Sequence, residues 1–289
     1  MTPPAWQIET LGPGAMDLAI EWAAREGWNP GLGDAAAFHA ADTTGFLLAR
    51  LDGLAVATIS AVRYGADFGF IGLYIVAPEQ RGQGHGWRLW QQAMANLAGR
   101  NVGLDGVLAQ QDNYRRSGFR LAHRNVRHSG TADPLLAKTL TGQRTGVISE
   151  VGTADLDELV RLDRRYFPAE RPAFLRHWLG SSHGRSLVLR EDGVIQAYAT
   201  LRPCRQGWKV GPLNARRPAQ ATALLAALVG SLPAGSVYFL DIPEPNGQAL
   251  ALAQALGMSP VFETARMYTG EFPDLPLAEI YGITSFELG

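Results

Sequence analysis

The sequence predicts a mixed α/β (α+β) protein made of two copies of one fold in tandem, each a mostly antiparallel mixed sheet flanked by helices. Two hairpin signals, a recurring glycine and a shared order of elements predict it. Apolar runs at 46–51 and 54–62, the second β-branched, flank Asp52-Gly53, and runs at 186–190 and 194–201 flank Asp192-Gly193. An Asp-Gly pair between such runs marks a tight β-hairpin turn. Ser117-Gly118-Phe119 opens a strand-like stretch ending at Gly130, and Leu256-Gly257-Met258 opens one ending at Gly270. These markers recur at a near-constant offset of about 140 residues, the signature of an internal duplication. The copies are expected at residues 1–141 and 146–289, with the polar stretch 141–145 at their junction.

Each element of a copy has its own warrant. An amphipathic helix comes first, at 15–25 and at 154–166, the second with Thr153 and Asp155 placed to cap its start. The two strands around the Asp-Gly turn follow, then a third at 68–76 or 208–213. A helix at 86–97 or 219–228 leads to a strand at 102–108 or 237–242 and a short helix at 113–117 or 247–256. A closing strand pair is expected to end each copy. Antiparallel strands first and a crossover helix later give a mixed sheet with helices on both faces.

The 289 residues are 46% hydrophobic, enough for a substantial core, and 18% charged with a net charge of −1. That balance supplies no basic patch for nucleic acid. No run reaches the roughly 18 apolar residues of a membrane helix. Residues 1–8 lack the basic and apolar regions of a secretory leader. The single cysteine, Cys204, excludes an internal disulfide, so a cytoplasmic protein with a structural thiol is expected. The histidines are scattered, and His123 and His128, five apart on a strand-like stretch, point to opposite faces. No metal is expected.

The most informative stretch runs from Gly72 to Leu89. Pro78 ends a strand because it cannot donate to a ladder. Gly82, Gly84 and Gly86 then alternate at the start of a helix, with Arg81 beside them. Such a loop lets a ligand approach the backbone closely, and the helix N-terminus presents free amides and the positive end of the dipole to an anion. It reads as a pyrophosphate cradle made mainly of backbone. A Walker loop would need Gly-Lys-Ser/Thr, but Trp87 follows Gly86. A dinucleotide fingerprint would need a third glycine where Trp87 stands, although Asp105 lies about where a ribose-binding acid would. The preceding hairpins also argue against a βαβ opening.

Arg81-x-x-Gly84-x-Gly86 after Val76-x-Pro78 resembles the CoA-binding motif of the GNAT N-acetyltransferase superfamily, and Tyr114-Arg115-Arg116-Ser117-Gly118-Phe119 resembles its later Tyr-x-x-x-Gly-Phe signature. Gly27-Trp28-Asn29-Pro30-Gly31, Gly72–Val76 and Gln110-Gln111-x-Asn113-Tyr114 are similar to tandem GNAT proteins. The resemblance implies acetyl-CoA as co-substrate. It implies that the Tyr74-Ile75-Val76 backbone pairs with pantetheine amides, that Gln83, Gly84, His85 and Gly86 hold the pyrophosphate, and that Arg81 supports the loop. It implies transfer of an acetyl group to the amine of a small molecule or peptide by direct attack, with Tyr114 as general acid.

Such a reaction needs a held thioester, a donor for the oxyanion, a neutral amine and a proton for the departing thiolate. No base announces itself: strand 68–76 contains no Glu or Asp. Asp34 and Glu21 are candidates from the early helices, each also read as surface or cap. Trp28, Asn29 and Asp34 are candidate acceptor contacts. Phe38 is considered with them, and Trp22 is read as core.

The second copy lacks the cradle. Ala215–Gln220 has no glycine, Pro218 removes an amide donor, and Ala253 stands where Tyr114 would. Asn246 sits at the spacing of the family's asparagine after the fifth strand, and Asp241 and Glu244 lie near it. The second copy is therefore expected to shape the acceptor site without turning over, with the β-prone segment 280–288 crossing to the first copy. The rival reading is an acyl-CoA-binding sensor or assembly module without turnover.

Overall fold

The computed structural model describes residues 5–135 and 146–289, so the junction expected at 141–145 lies outside the described residues. Among the described residues of the first copy, β1 (Trp6–Thr10), β2 (Phe46–Leu51), β3 (Leu54–Tyr64), β4 (Phe68–Val76), β5 (Asn101–Val107) and β6 (Arg120–Thr131) are interspersed with four named helices. These are α1 (Met16–Arg25), α2 (Asp34–Ala41), α3 (His85–Asn96) and α4 (Gln111–Arg116). The second copy repeats the order. Its strands are β7 (Val147–Glu150), β8 (Arg185–Glu191), β9 (Val194–Pro203), β10 (Trp208–Ala215), β11 (Val237–Pro243) and β12 (Ser259–Tyr268). Its helices are α5 (Leu156–Asp163), α6 (Pro172–Leu179), α7 (Pro218–Val229) and α8 (Gly247–Ala255). A last short strand, β13 (Ile280–Gly282), has no counterpart among the described residues of the first copy.

The two Asp-Gly turns are the same object. Asp52 and Gly53 have φ of 50° and 81°, Asp192 and Gly193 φ of 50° and 80°. Two successive left-handed residues define the hairpin turn whose twist matches that of its strands.

All strands join in one sheet, ordered β1-β2-β3-β4-β5-β12-β6-β11-β10-β9-β8-β7, with β13 alongside β10. Replacing every strand by its counterpart and reversing the order regenerates the same list, so the copies are related by a pseudo-two-fold axis between β12 and β6. The expected closing strand pair in each copy is instead one long strand, and these two strands are exchanged. β12 of the second copy pairs with β5 of the first, from Thr264↔Val107 to Tyr268↔Gly103. β6 of the first pairs with β11 of the second, from Val237↔Thr131 to Pro243↔Asn125. β6 and β12 pair with each other at the centre. Each copy thus completes the other's sheet, and buried ion pairs fasten the seam: Arg266 with Asp105 at 2.6 Å and Arg127 with Asp241 at 2.7 Å.

One face of the sheet carries α1, α2, α5 and α6 over a core shared by both copies, where Phe38 of α2 stacks on Trp178 of α6 with ring centroids 6.1 Å apart. The other face carries a separate core for each copy, under α3 in the first and under α7 and α8 in the second. Among the described residues no helix is long and apolar enough to cross a membrane.

The segment 280–289 ties the copies together and is buried throughout. β13 pairs with β10, Leu213 opposite Gly282, and the Ile283 amide donates to the Asp241 carbonyl. The chain then passes to the first copy. There the Tyr64 hydroxyl donates to the Leu288 carbonyl, while from the second copy Arg171, itself held by Asp163 at 2.8 Å, donates to Thr284 Oγ1 and to the Gly289 carbonyl.

Candidate active site

β4 and β5 run parallel and paired only from Phe68↔Asn101 to Ile71↔Leu104, and then diverge. The divergence coincides with a bulge: Leu73 and Tyr74 together lie opposite Ile59, and Leu73 takes a φ of 46°. Thr58 Oγ1 fixes it by donating to the Leu73 carbonyl at 3.0 Å. A bulge re-aims the strand, and here it leaves the β4 edge facing a cavity of about 360 Å³. The cavity is bounded by Ile71–Val76 on one side and Leu104–Val107 on the other. Trp28, Glu26 and Arg81 stand at another wall, and Phe262, Thr264, Phe286 and Glu287 come from the second copy.

The strand leads into the Gly-rich loop. Gly82 and Gly84 have φ of 76° and 84°, so both need the left-handed freedom of glycine, and open space surrounds each. Gly86 serves otherwise. A Cβ there would meet the Tyr74 hydroxyl and a Val76 methyl at 2.7 Å, so it lets α3 sit on β4. No side chain caps α3 and no acid stands in its first turn. Its first amides therefore remain available to an anion. Arg81 Nε donates to the Val76 carbonyl at 3.0 Å and its other end pairs with Glu26, so it braces the turn from strand to loop. Gln83 folds back onto the Glu79 carbonyl, and His85 stacks on Trp6.

Tyr114 comes from α4 and lines the same cavity. Its ring packs on Trp90 with centroids 5.6 Å apart and lies against Gly106, where a Cβ would stand 2.3 Å from it. Burial, and secondarily the Tyr74 phenol nearby, raises its pKa well above the ordinary tyrosine value. Burial likewise pushes Tyr74 up to about 12. Both phenols keep their protons across the neutral range, and a protonated phenol is the form that can donate.

The other sequence candidates are distributed unevenly. Tyr74, Ile75, Val76, Arg81, Tyr114 and Trp28 come together on one cavity, with Gln83, Gly84 and His85 at the loop beside it. Asn29 does not line it. Its φ is 53°, and its amide is engaged with the Gln206 backbone at 2.8 and 3.0 Å and with Cys204. Asp34 is also elsewhere: it accepts from the Gly31 amide at 2.8 Å and faces Arg202 at 3.5 Å, a buried turn-and-charge role. Glu21 is spent on Arg25 and Arg205 at the surface, and Phe38 is core. Asp105 is fully paired with Arg266 and Asn125. Asn246 caps α8, accepting from the Gln248 and Ala249 amides, and donates to the Ala278 and Ile280 carbonyls. Glu287, Phe286 and Phe262 were missed by sequence reasoning. The only signal was the β-prone 280–288 stretch.

A buried charged cluster adjoins the cavity through Trp28. Arg127 grips Asp241 with two bonds, at 2.7 and 2.8 Å, and Arg127 and Lys209 both donate to the Trp28 carbonyl. Burial alone would raise the Asp241 carboxyl, but Arg127, helped by Lys209 and Arg202, holds it below the usual range. Burial, reinforced by Arg127, pushes Lys209 down to about 8.

The second copy has the same divergence without the same opening. β10 and β11 pair from Trp208↔Tyr238 to Val210↔Leu240 and then part, and β13 with Ile283 fills the gap. The N-terminus of α7 is closed as well. Pro218 starts it, Gln220 accepts from the Arg217 amide at 3.1 Å, and Glu191 binds both Gln220 and Arg217. Among the described residues no cluster of three or more His, Cys, Asp or Glu is placed to hold a metal.

Comparison with known proteins accords with this geometry. Residues 15–119 match the acetyltransferase (GNAT) family and residues 159–282 an acetyltransferase (GNAT) domain. A holothin acyltransferase from Pseudoalteromonas sp. (strain SANK 73390) is 31% identical over 98% of this chain and 95% of its own length. Among solved structures, a Pyrococcus horikoshii protein assigned as an acetyltransferase superposes with a TM-score of 0.81 at 21% identity, covering 98% of this chain and 96% of that one. A tandem GNAT protein from the clavulanic acid biosynthesis pathway gives 0.65 at 15%, over 93% and 100%. Family matches on both copies and a full-length acyltransferase relative lead to one conclusion: the chain belongs to the GNAT acetyltransferase family, as a tandem, acyl-CoA-dependent N-acetyltransferase.

Proposed function

We propose that the first copy moves an acetyl group from acetyl-CoA to the amine of a small molecule, with Tyr114 protonating the departing thiolate. The observation that carries this reading is the conjunction, in one copy only, of an open strand divergence, an uncapped left-handed Gly loop and a cavity containing a buried phenol. The β4 edge at Tyr74–Val76 suits the pantetheine amides, and the free amides of Gln83 to Gly86 suit the pyrophosphate. A backbone amide of the bulged strand would face the developing oxyanion, a role that preorganised donors fill at no reorganisation cost. The second copy supplies the far wall of the cavity. Its own groove is filled by residues 280–283, which supports a shaping role without turnover.

The relative's acceptor, holothin, is the first amine to try. Release of free CoA thiol from acetyl-CoA is followed with a panel of small amines that includes holothin. Thiol release dependent on an amine is expected. Acetyl-CoA binding with no release for any amine would favour a sensor.

A further inference from the structure

Three carboxylates among the described residues line the cavity, and two are committed. Glu26 is paired with Arg81 at the mouth. Asp105 takes both ends of the Arg266 guanidinium and the Asn125 amide. The third, Glu287, is 3% exposed, and its Oε1 has no hydrogen-bond partner. A buried carboxylate oxygen left unpaired costs free energy unless a ligand meets it. Its backbone is fixed. The Glu287 carbonyl passes so close to Gly72 that a Cβ there would stand 2.0 Å from it, and the next residue is held by Tyr64. Its charge reaches the buried cluster, where it strengthens the hold of Arg127 and Lys209 on their protons, while Asp241 is occupied by Arg127.

We propose that Glu287 is the general base of the reaction, receiving a proton from the acceptor ammonium. This rests on the acetyl-transfer reading above. A primary ammonium gives one N–H proton to the Glu287 carboxylate and becomes a neutral amine. Its lone pair attacks the thioester carbonyl carbon, the C–N bond forms, and the C–S bond breaks with its electron pair passing to sulfur. Sulfur takes the Tyr114 phenol proton, the nitrogen's surplus proton restores the phenol, and Glu287 releases its proton to water. Acyl-CoA and ammonium have become amide, CoA thiol and one proton. Acid and base thus arrive from different copies, Tyr114 from α4 of the first and Glu287 from the tail of the second.

The test uses the full chain with Glu287→Gln, which keeps shape and volume, and Glu287→Asp, which keeps the charge. Acetyl-CoA affinity, thermal midpoint and amine-dependent thiol release are measured from pH 7 to pH 10. Arg127, Asp241, Tyr74 and Tyr114 are common to all three proteins, but Glu287 itself raises the Lys209 pKa, so the ratio of wild type to variant is read at each pH in the Lys209→Met background, where that titration is absent. For Glu287→Gln we expect unchanged acetyl-CoA affinity and kcat reduced about 100-fold or more at pH 7, within the usual range for a general base. The deficit should shrink as the amine deprotonates in solution, and Glu287→Asp should retain more activity than Glu287→Gln. A Glu287→Gln kcat within about 2-fold of wild type, a loss confined to KM, or a deficit independent of pH would overturn the assignment. If both substitutions lower the thermal midpoint and kcat equally, the residue is structural and the assignment fails. A wild type that binds acetyl-CoA but acetylates no amine removes the underlying reading instead, a different result.

Discussion

Substituting Gly72 by alanine tests how the second copy reaches the first. The glycine backbone there is ordinary, so no strain arises from φ. The added methyl carbon would lie 2.0 Å from the Glu287 carbonyl oxygen, 2.8 Å from its carbon and 3.0 Å from Ser60 Oγ. The serine hydroxyl can turn away, but the Glu287 backbone cannot turn and must retreat by about 1.4 Å or more to reach ordinary contact. Overpacking of this kind costs ~1–3 kcal/mol. Detaching the segment would cost more, because Ile283, Phe286 and Leu288 are buried and each is worth roughly 1.5–3 kcal/mol. The segment should therefore shift rather than leave. At about 2–4 °C per kcal/mol for a large domain, Gly72→Ala should lower the thermal midpoint by ~2–12 °C. A displacement of about 1 Å at a reacting group can cost ~100-fold in rate, so kcat should fall far more than stability alone explains. Gly53→Ala is the control. Its φ of 81° imposes strain in an open turn, so stability falls while kcat holds. Scanning calorimetry and the thiol-release assay give both numbers. A Gly72→Ala protein with wild-type midpoint and wild-type kcat would refute the placement of residues 280–289.

Two further outcomes are expected. Tyr114→Phe keeps the ring packed on Trp90 and removes the donor. Turnover should fall by roughly 10²-fold or more at unchanged acetyl-CoA affinity, and equal turnover would reduce Tyr114 to packing. Lys209 loses its proton near pH 8 when folded, against an ordinary 10.5. Between those values the unfolded chain binds more protons, so stability gained from this residue rises with pH, by ~3 kcal/mol in total. Lys209→Met should abolish that rise, and parallel slopes of unfolding free energy against pH in both proteins would contradict it.

The sequence carried local information well. The Asp-Gly hairpins were legible because both turn residues must take positive φ, and β4 was read with its observed bounds because Phe68 to Val76 is an unbroken apolar run closed by Pro78. The two short edge strands β1 and β7 were not found, since four or five half-exposed residues carry little pattern. The exchange of β6 and β12 was not legible either. Any strand of suitable length can fill either place, and only the assembled sheet decides which partner it takes. The Gly-rich loop could be read because its elements are contiguous, a strand, a loop and a helix start. Asn29 and Asp34 were misplaced for the converse reason: their partners, Gln206, Cys204 and Arg202, belong to the other copy. Glu287 was hidden in the same way, since its significance comes from Gly72 and the cavity beside it.

The proposed reaction requires that one copy hold acetyl-CoA while the other's groove is filled by its own chain. Isothermal titration of acetyl-CoA into the full chain, repeated with Gly84→Asp, tests it most directly. The substitution puts a carboxylate beside the free amides of α3, where a phosphate would otherwise bind. One acetyl-CoA per chain is predicted, with binding lost in a Gly84→Asp protein that remains folded, its thermal midpoint lowered by the strain of a left-handed φ of 84°. Two acetyl-CoA per chain, or undiminished binding in the folded variant, would contradict it.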